Sequence, residues 1–227
     1  LQPLDQFIHS RVHNDKPTDI CKTCRDKVRE AQILWYAPCE KVYQNWRKTH
    51  PCVKCMNDPN YKHNSLLIEA DHLGGKVTIV QHELLEKKSR GVAALQAELK
   101  KCRPLCKFHH RLATQQRDRD NGRIQKRSWV LRKGSIINAE KHKRGCCSNS
   151  KCKRLVKRGE ECGFDFDHRD PNTKFMYRGK TINPANFKEL PQALFDAQWP
   201  IEKELVDLLC ANCHKLKTHL NGDGLKT

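Results

Sequence analysis

The stretch Leu208, Leu209, Cys210, Ala211, Asn212, Cys213, His214, Lys215, Leu216, Lys217, Thr218 decides the reading of this chain. A Cys-x-x-Cys followed at once by His and then by Lys, Lys and Thr is not the pattern of an ordinary helix or strand. Two thiols at this spacing suit a tetrahedral zinc ion, and the helix after them carries an additional His. Upstream stands Phe164, Asp165, Phe166, Asp167, His168, a short apolar and acidic run that ends on Asp-His.

The same arrangement occurs earlier in the chain. Cys52 and Cys55 open it, Leu66 to Ile68 form a short apolar run, and Asp71-His72 follows. Gly74-Gly75 marks a hairpin turn, with more strand over Val77 to Val80, and Gly91 to Lys101 reads as helix. Cys106, His109 and His110 close the copy. Cys55 to Asp71 spans 16 positions and Cys152 to Asp167 spans 15, while Cys106 to His110 and Cys210 to His214 both span 4. Two such registers, on these residue types, indicate tandem modules. The zinc ligands expected are Cys52, Cys55, Cys106 and His109 in the first, and Cys147, Cys152, Cys210 and Cys213 in the second, with Cys146 an alternative to Cys147.

Composition agrees with stapled modules. Of 227 residues only 37% are apolar, little for a large core, and the 13 cysteines supply staples. Their close spacing beside His favours zinc over disulfides and implies an intracellular, reducing compartment, cytoplasm or nucleus. Lys plus Arg is 44 and Asp plus Glu 26, a net charge of +18, which predicts a nucleic-acid partner. No run of about 18 apolar residues exists, so no membrane span is expected. Arg117, Arg119, Arg123, Lys126 and Arg127, in a basic connector over 115–145, and Lys215 and Lys217 beside the second knuckle, are the candidate phosphate contacts.

Residues 1–49 read as a partial zinc ribbon followed by helices. Pro3 to Phe7 and Cys21 to Arg25 resemble the second half of a small ribbon whose first Cys pair would lie upstream of Leu1, leaving Cys21 and Cys24 as the ligands present. A helix is expected from Cys24 to Ala37, stopped by Pro38, and a second from Glu40 to Lys48.

The order Cys-x-x-Cys, strand, Asp-His, hairpin, helix, Cys-x-x-(Cys or His)-His resembles a zinc-stapled branch of the HNH endonucleases. The resemblance covers nearly all of 50–114 and is repeated over 146–227, so the fold expected is α+β, small and zinc-stapled: two tandem ββα-metal modules behind an N-terminal helical and ribbon-like remnant. It implies a metal-dependent endonuclease that hydrolyses phosphodiester bonds of DNA. Asp71 with His110, and Asp167 with His214, would hold a catalytic Mg²⁺ or Mn²⁺ apart from the structural Zn²⁺. His72 and His168, each facing away from its neighbouring Asp along the strand, would be general bases. The chain departs from the family at His109 and Phe108, where relatives carry Cys and Asn. The middle Asn of the HNH pattern is replaced by Lys101 and Leu205. A protein that kept the zinc scaffold and binds nucleic acid without cutting it is the alternative.

Overall fold

The alternation Phe164, Asp165, Phe166, Asp167, His168 forms a five-residue strand whose first, third and fifth side chains are buried and whose two acids are half-exposed. A strand places successive side chains on opposite faces, so one face enters the core and the other carries the carboxylates. This arrangement belongs to a computed structural model describing residues 7–9, 17–58, 61–73, 91–122 and 128–221. Within these, the side chains of 7–22, 24–25, 28–29 and 31–36 lie outside the described residues, among them those of Cys21, Cys24, Trp35 and Tyr36. Gly74, Gly75, Val77 to Val80, Arg123, Lys126 and Arg127 lie outside them too.

The protein is a small α+β chain whose strands, among the described residues, pair in short two-stranded sheets. It divides into two compact units, Leu1–His50 with His72–Arg103, and Pro51–Asp71 with Pro104–Thr227.

In the first unit, β1 (Phe7–His9) pairs antiparallel with β2 (Pro17–Cys21), and α1 runs from Lys22 to Thr49. The helix does not stop at Pro38 as the sequence suggests; Pro38 lies inside one continuous helix. A proline removes one N–H and crowds the preceding turn, but it leaves the following turns free to bond. Those turns bury Cys39 and Arg47, and α1 packs on α2 (Val92–Leu99), whose Leu95 and Leu99 are buried. Tertiary contact outweighs the local cost.

Strands β3 (Ile68–His72) and β4 (Cys102–Cys106) form one two-stranded sheet. The partner of the Asp71-His72 strand is thus the segment that leads into the second pair of zinc ligands.

In the second unit, α3 (Lys107–Asp120) follows β4, then α4 (Ser128–Arg144), β5 (Phe164–His168), the hairpin β6 (Met176–Tyr177) and β7 (Lys180–Thr181), α5 (Gln192–Leu205), β8 (Val206–Cys210) and α6 (Ala211–Leu220). Strand β5 pairs antiparallel with β8, Phe164 opposite Cys210 and His168 opposite Val206. Phe166, Phe187 and Phe195 pack around Trp199, with ring centroids 5.6, 6.0 and 6.1 Å from it. The stretch expected as a basic connector is largely helical. Val130, Lys133, Ile137 and Lys141 form a buried stripe along α4 at helical spacing. Its cations serve the fold: Lys141 donates to the carbonyls of Glu161 (2.7 Å) and Phe164 (2.8 Å), and Arg144 to that of Val206 (2.6 Å). These bonds pin the starts of β5 and β8.

Candidate metal centres

Two clusters of four ligands assemble from the expected residues: Cys52, Cys55, Cys106 and His109, and Cys147, Cys152, Cys210 and Cys213. In each, all ligand atoms lie within 4.8 Å of one another. Zinc held by thiolates at about 2.3 Å and an imidazole at about 2.0–2.1 Å spaces tetrahedral donors roughly 3.6–3.8 Å apart. His109 Nδ1 stands 3.4, 3.3 and 3.3 Å from Cys52, Cys55 and Cys106, and the Cys55 and Cys106 sulfurs are 3.9 Å apart. In the second cluster Cys152 and Cys210 are separated by 3.7 Å. Donor type and spacing fit a structural metal such as zinc. Cys147, not Cys146, takes the first place; Cys146 forms a β-bridge with Leu155. Both clusters tie a loop to the strand–helix junction where β4 meets α3 and β8 meets α6.

Those junctions aim a second pair of clusters. His110, one residue past the zinc ligand His109, donates or accepts through Nδ1 at 2.7 Å from Glu69 Oε2, and its Nε2 lies 3.6 Å from Asp71 Oδ1. His214, one residue past Cys213, repeats this: Nδ1 is 2.8 Å from Asp165 Oδ2 and Nε2 is 3.5 Å from Asp167 Oδ1. A carboxylate at Nδ1 draws the ring proton there and leaves the Nε2 lone pair facing the second carboxylate. A cation about 2.1 Å from each donor bridges a gap of up to roughly 4 Å, so either His–Asp pair has the span to share one. Glu69 and Asp165 themselves are held ionised. Burial pushes Glu69 up, but the His110 bond and Lys215 bring it down to about 2. Burial likewise opposes ionisation of Asp165, and His214 with Arg111 outweighs it, holding the carboxyl well below its ordinary range.

The two clusters differ in what else touches the shared acid. Asp71 is wholly buried, and Arg117 Nη2 reaches its Oδ1, the oxygen facing His110, at 2.5 Å. Asp167 keeps one fifth of its side chain exposed, and Lys217 Nζ takes Oδ2 (2.5 Å), leaving Oδ1 to His214. Beside Asp167 opens a cavity of about 280 Å³ lined by Asp165, Asp167, His168, His214, Arg111 and Lys174, and by the Asn183–Asn186 turn. The segment between β5 and β8, which carries Pro171, Pro184, Pro191 and Pro200, thus supplies one wall.

The candidate bases are each met by a glutamate that the sequence pattern did not point to. In the second unit His168 Nε2 stands 2.8 Å from Glu202 Oε1 on α5, both side chains 3% exposed. In the first unit His72 Nε2 stands 2.9 Å from Glu98 Oε1 on α2, and Lys101 bonds the other oxygen of Glu98 at 3.0 Å. Glu98 and Glu202 each stand eight positions before the third residue of the neighbouring four-ligand cluster, Cys106 and Cys210. That equal offset was the signal available in the sequence. Burial lowers the His168 imidazole, keeping it neutral in neutral solution, and raises Glu202 to about 7.

Of the residues expected to track phosphate, Arg117, Lys215 and Lys217 form ion pairs with Asp71, Glu69 and Asp167. Among the described residues, no helix is long and apolar enough to cross a membrane. No family model, curated protein or solved structure matches the chain, so the two four-ligand clusters and the two His–carboxylate clusters are what characterise it.

Proposed function

We propose that the chain is a tandem HNH-type endonuclease acting on DNA, with the second module as its working site. The observation that carries this reading is the convergence of His214 Nε2 and Asp167 Oδ1, 3.5 Å apart, on a cavity that also reaches His168. Two donors from the protein leave other coordination positions for water and a phosphate oxygen, as a catalytic rather than structural site requires. A bound Mg²⁺ or Mn²⁺ would supply charge stabilisation at the phosphate and the leaving oxygen.

The protein's own groups do the rest. Asp165 holds His214 by Nδ1. Asp167 presents Oδ1. Burial keeps His168 neutral, with Glu202 Oε1 2.8 Å from its Nε2, and its imidazole would take the proton from water. Arg111 and Lys174 place positive charge on the cavity wall, where a phosphodiester would lie. The half-buried, polar lining and the net charge of +18 suit a polyanion rather than an apolar small molecule.

A second reading has an observation of its own. Lys217 on Asp167 and Arg117 on Asp71 occupy acids that a cation would need. A chain in which these lysine and arginine contacts are permanent is a zinc-stapled nucleic-acid-binding protein without cleavage.

Plasmid cleavage with Mg²⁺ or Mn²⁺ separates the two. His168→Ala is expected to lower the rate by about 10²–10⁴-fold, the contribution of a general base, while His72→Ala leaves most of it. Salt-sensitive binding with no cleavage under any divalent cation would establish the second reading.

A further inference from the structure

The second unit contains a reciprocal exchange between the two copies. Arg111 follows His110 directly in the chain, and its Nη1 bonds Oδ1 of Asp165 at 2.7 Å, in the other copy. Lys215 follows His214 directly, and its Nζ bonds Oε1 of Glu69 at 3.2 Å, again in the other copy. Asp165 and Glu69 are the carboxylates that hold Nδ1 of His214 and His110. Each metal-site imidazole is thus oriented by its own copy's acid, and each acid is fixed by a cation from the opposite copy.

The packing around this exchange is close. The Phe108 N–H donates to Asn212 Oδ1 at 3.0 Å, again from one knuckle to the other. The Phe108 ring meets Phe164 edge-on with centroids 5.5 Å apart. It lies so near Gly163 that a Cβ there would be 2.3 Å from the ring. Asp165 therefore has no freedom to choose another rotamer: Arg111 takes one oxygen and His214 the other. Arg111 also lines the 280 Å³ cavity beside Asp167 and His214.

We propose that Arg111 is a positioning residue for the cation site of the second module. The first copy supplies, through the helix that follows its own zinc cluster, the charge that locks Asp165 and so sets the ring of His214. Lys215 does the same for His110 through Glu69. The first copy is then a built-in half of the second copy's site, which gives it a role whether or not it cuts. This rests on the proposed hydrolase reading only in identifying His214 as a cation ligand.

The test uses the full chain and four variants: Arg111→Met, Arg111→Lys, Lys215→Met and Asp165→Asn. Zinc content equal to that of the parent, at the two clusters that could hold it, checks that each variant is folded. The first readout is the ¹⁵N and ¹H signals of the His214 ring without added Mn²⁺, assigned by their loss in His214→Ala. The second is Mn²⁺ affinity. Arg111→Met and Asp165→Asn are expected to abolish the single Nδ1-protonated form of His214 and to weaken Mn²⁺ binding by about 10-fold, the low end for losing a group that orients a ligand. Arg111→Lys keeps the charge and restores most of the affinity. Lys215→Met, although adjacent to His214, should leave the His214 signals alone and perturb His110 instead. Unchanged His214 ring signals in Arg111→Met would overturn the proposal. If the ring signals respond as stated but the parent takes up no Mn²⁺, the positioning role stands and the hydrolase reading falls.

Discussion

The cluster Glu69, Asp71, His110 and the cluster Asp165, Asp167, His214 are built from the same parts. An acid holds Nδ1 of a histidine, at 2.7 Å in the first and 2.8 Å in the second, and Nε2 faces a second acid, at 3.6 and 3.5 Å. They differ in one contact. In the first, the Arg117 guanidinium lies on the oxygen that faces the histidine; in the second, the Lys217 ammonium takes the other oxygen. The first acid is wholly buried, while the second, paired as closely with Lys217, opens on a cavity. Two clusters built from matching residues thus differ in whether a cation lies on the acid oxygen that faces the histidine.

The largest expected effect bears on what the two clusters share. Each histidine sits on a strand–helix junction that carries two residues of a cluster able to hold zinc. Removing the metal leaves buried thiols crowded together, and contact with Cys147 already pushes the Cys213 thiol far above its ordinary range. Strong chelation is expected to abolish the cooperative unfolding transition of the second unit, as is Cys213→Ser, read by circular dichroism during thermal melting. An unchanged transition after chelation would mean that the apolar core holds the junction without metal.

A smaller effect separates the clusters. Arg117→Met removes the guanidinium from Asp71 and leaves a buried carboxylate without that cation. Mn²⁺ titration is expected to reveal an additional ion per chain, bound by Asp71 and His110. If the stoichiometry stays that of the parent while stability falls, the first cluster is a structural ion pair and not a closed metal site.

The smallest effect concerns the strand that carries Asp165 and Asp167. Lys141 lies beneath its start, and burial lowers its ammonium from 10.5 to about 8. Between these values the unfolded chain holds a proton that the folded chain has released. Stability conferred by this group is therefore full above about pH 10.5 and lost as pH falls through about 8. Denaturant melts should show stability rising over this window in the parent relative to Lys141→Met. Parallel curves for the two proteins would place the Lys141 proton outside that window.

The Phe108 and Asn212 positions show where reading by resemblance stops. Phe108 stands where the resemblance to HNH endonucleases leads one to expect Asn, which reads as a loss in one copy. In three dimensions it is a contact: the ring fills the space over Gly163, and the backbone N–H is taken by Asn212, the residue at the same position of the other copy. Pro38 shows a different limit. Its local preference to end a helix is overridden because the turns after it bury Cys39 and Arg47. The basic connector shows a third, since a run of Lys and Arg reads as solvated when taken residue by residue. Only the periodicity of Val130, Lys133, Ile137 and Lys141 betrays a buried stripe.

By itself the sequence determined the eight residues of the two clusters that could hold zinc, and it pointed to the Asp71–His110 and Asp167–His214 pairs that the structure brings to 3.6 and 3.5 Å. Thiol spacing is a local property, and two copies in register make it unambiguous. It also carried the alternation that buries one face of β5. Only the tertiary structure decided that Glu98 and Glu202 meet the candidate bases, that Arg117 closes one acid, and that Arg111 and Lys215 cross between the copies. Those contacts join residues 26 to 146 positions apart. A charged side chain has no spacing rule for such reach. Its partner is set by which surfaces the core brings together, and desolvation there decides which pairs form.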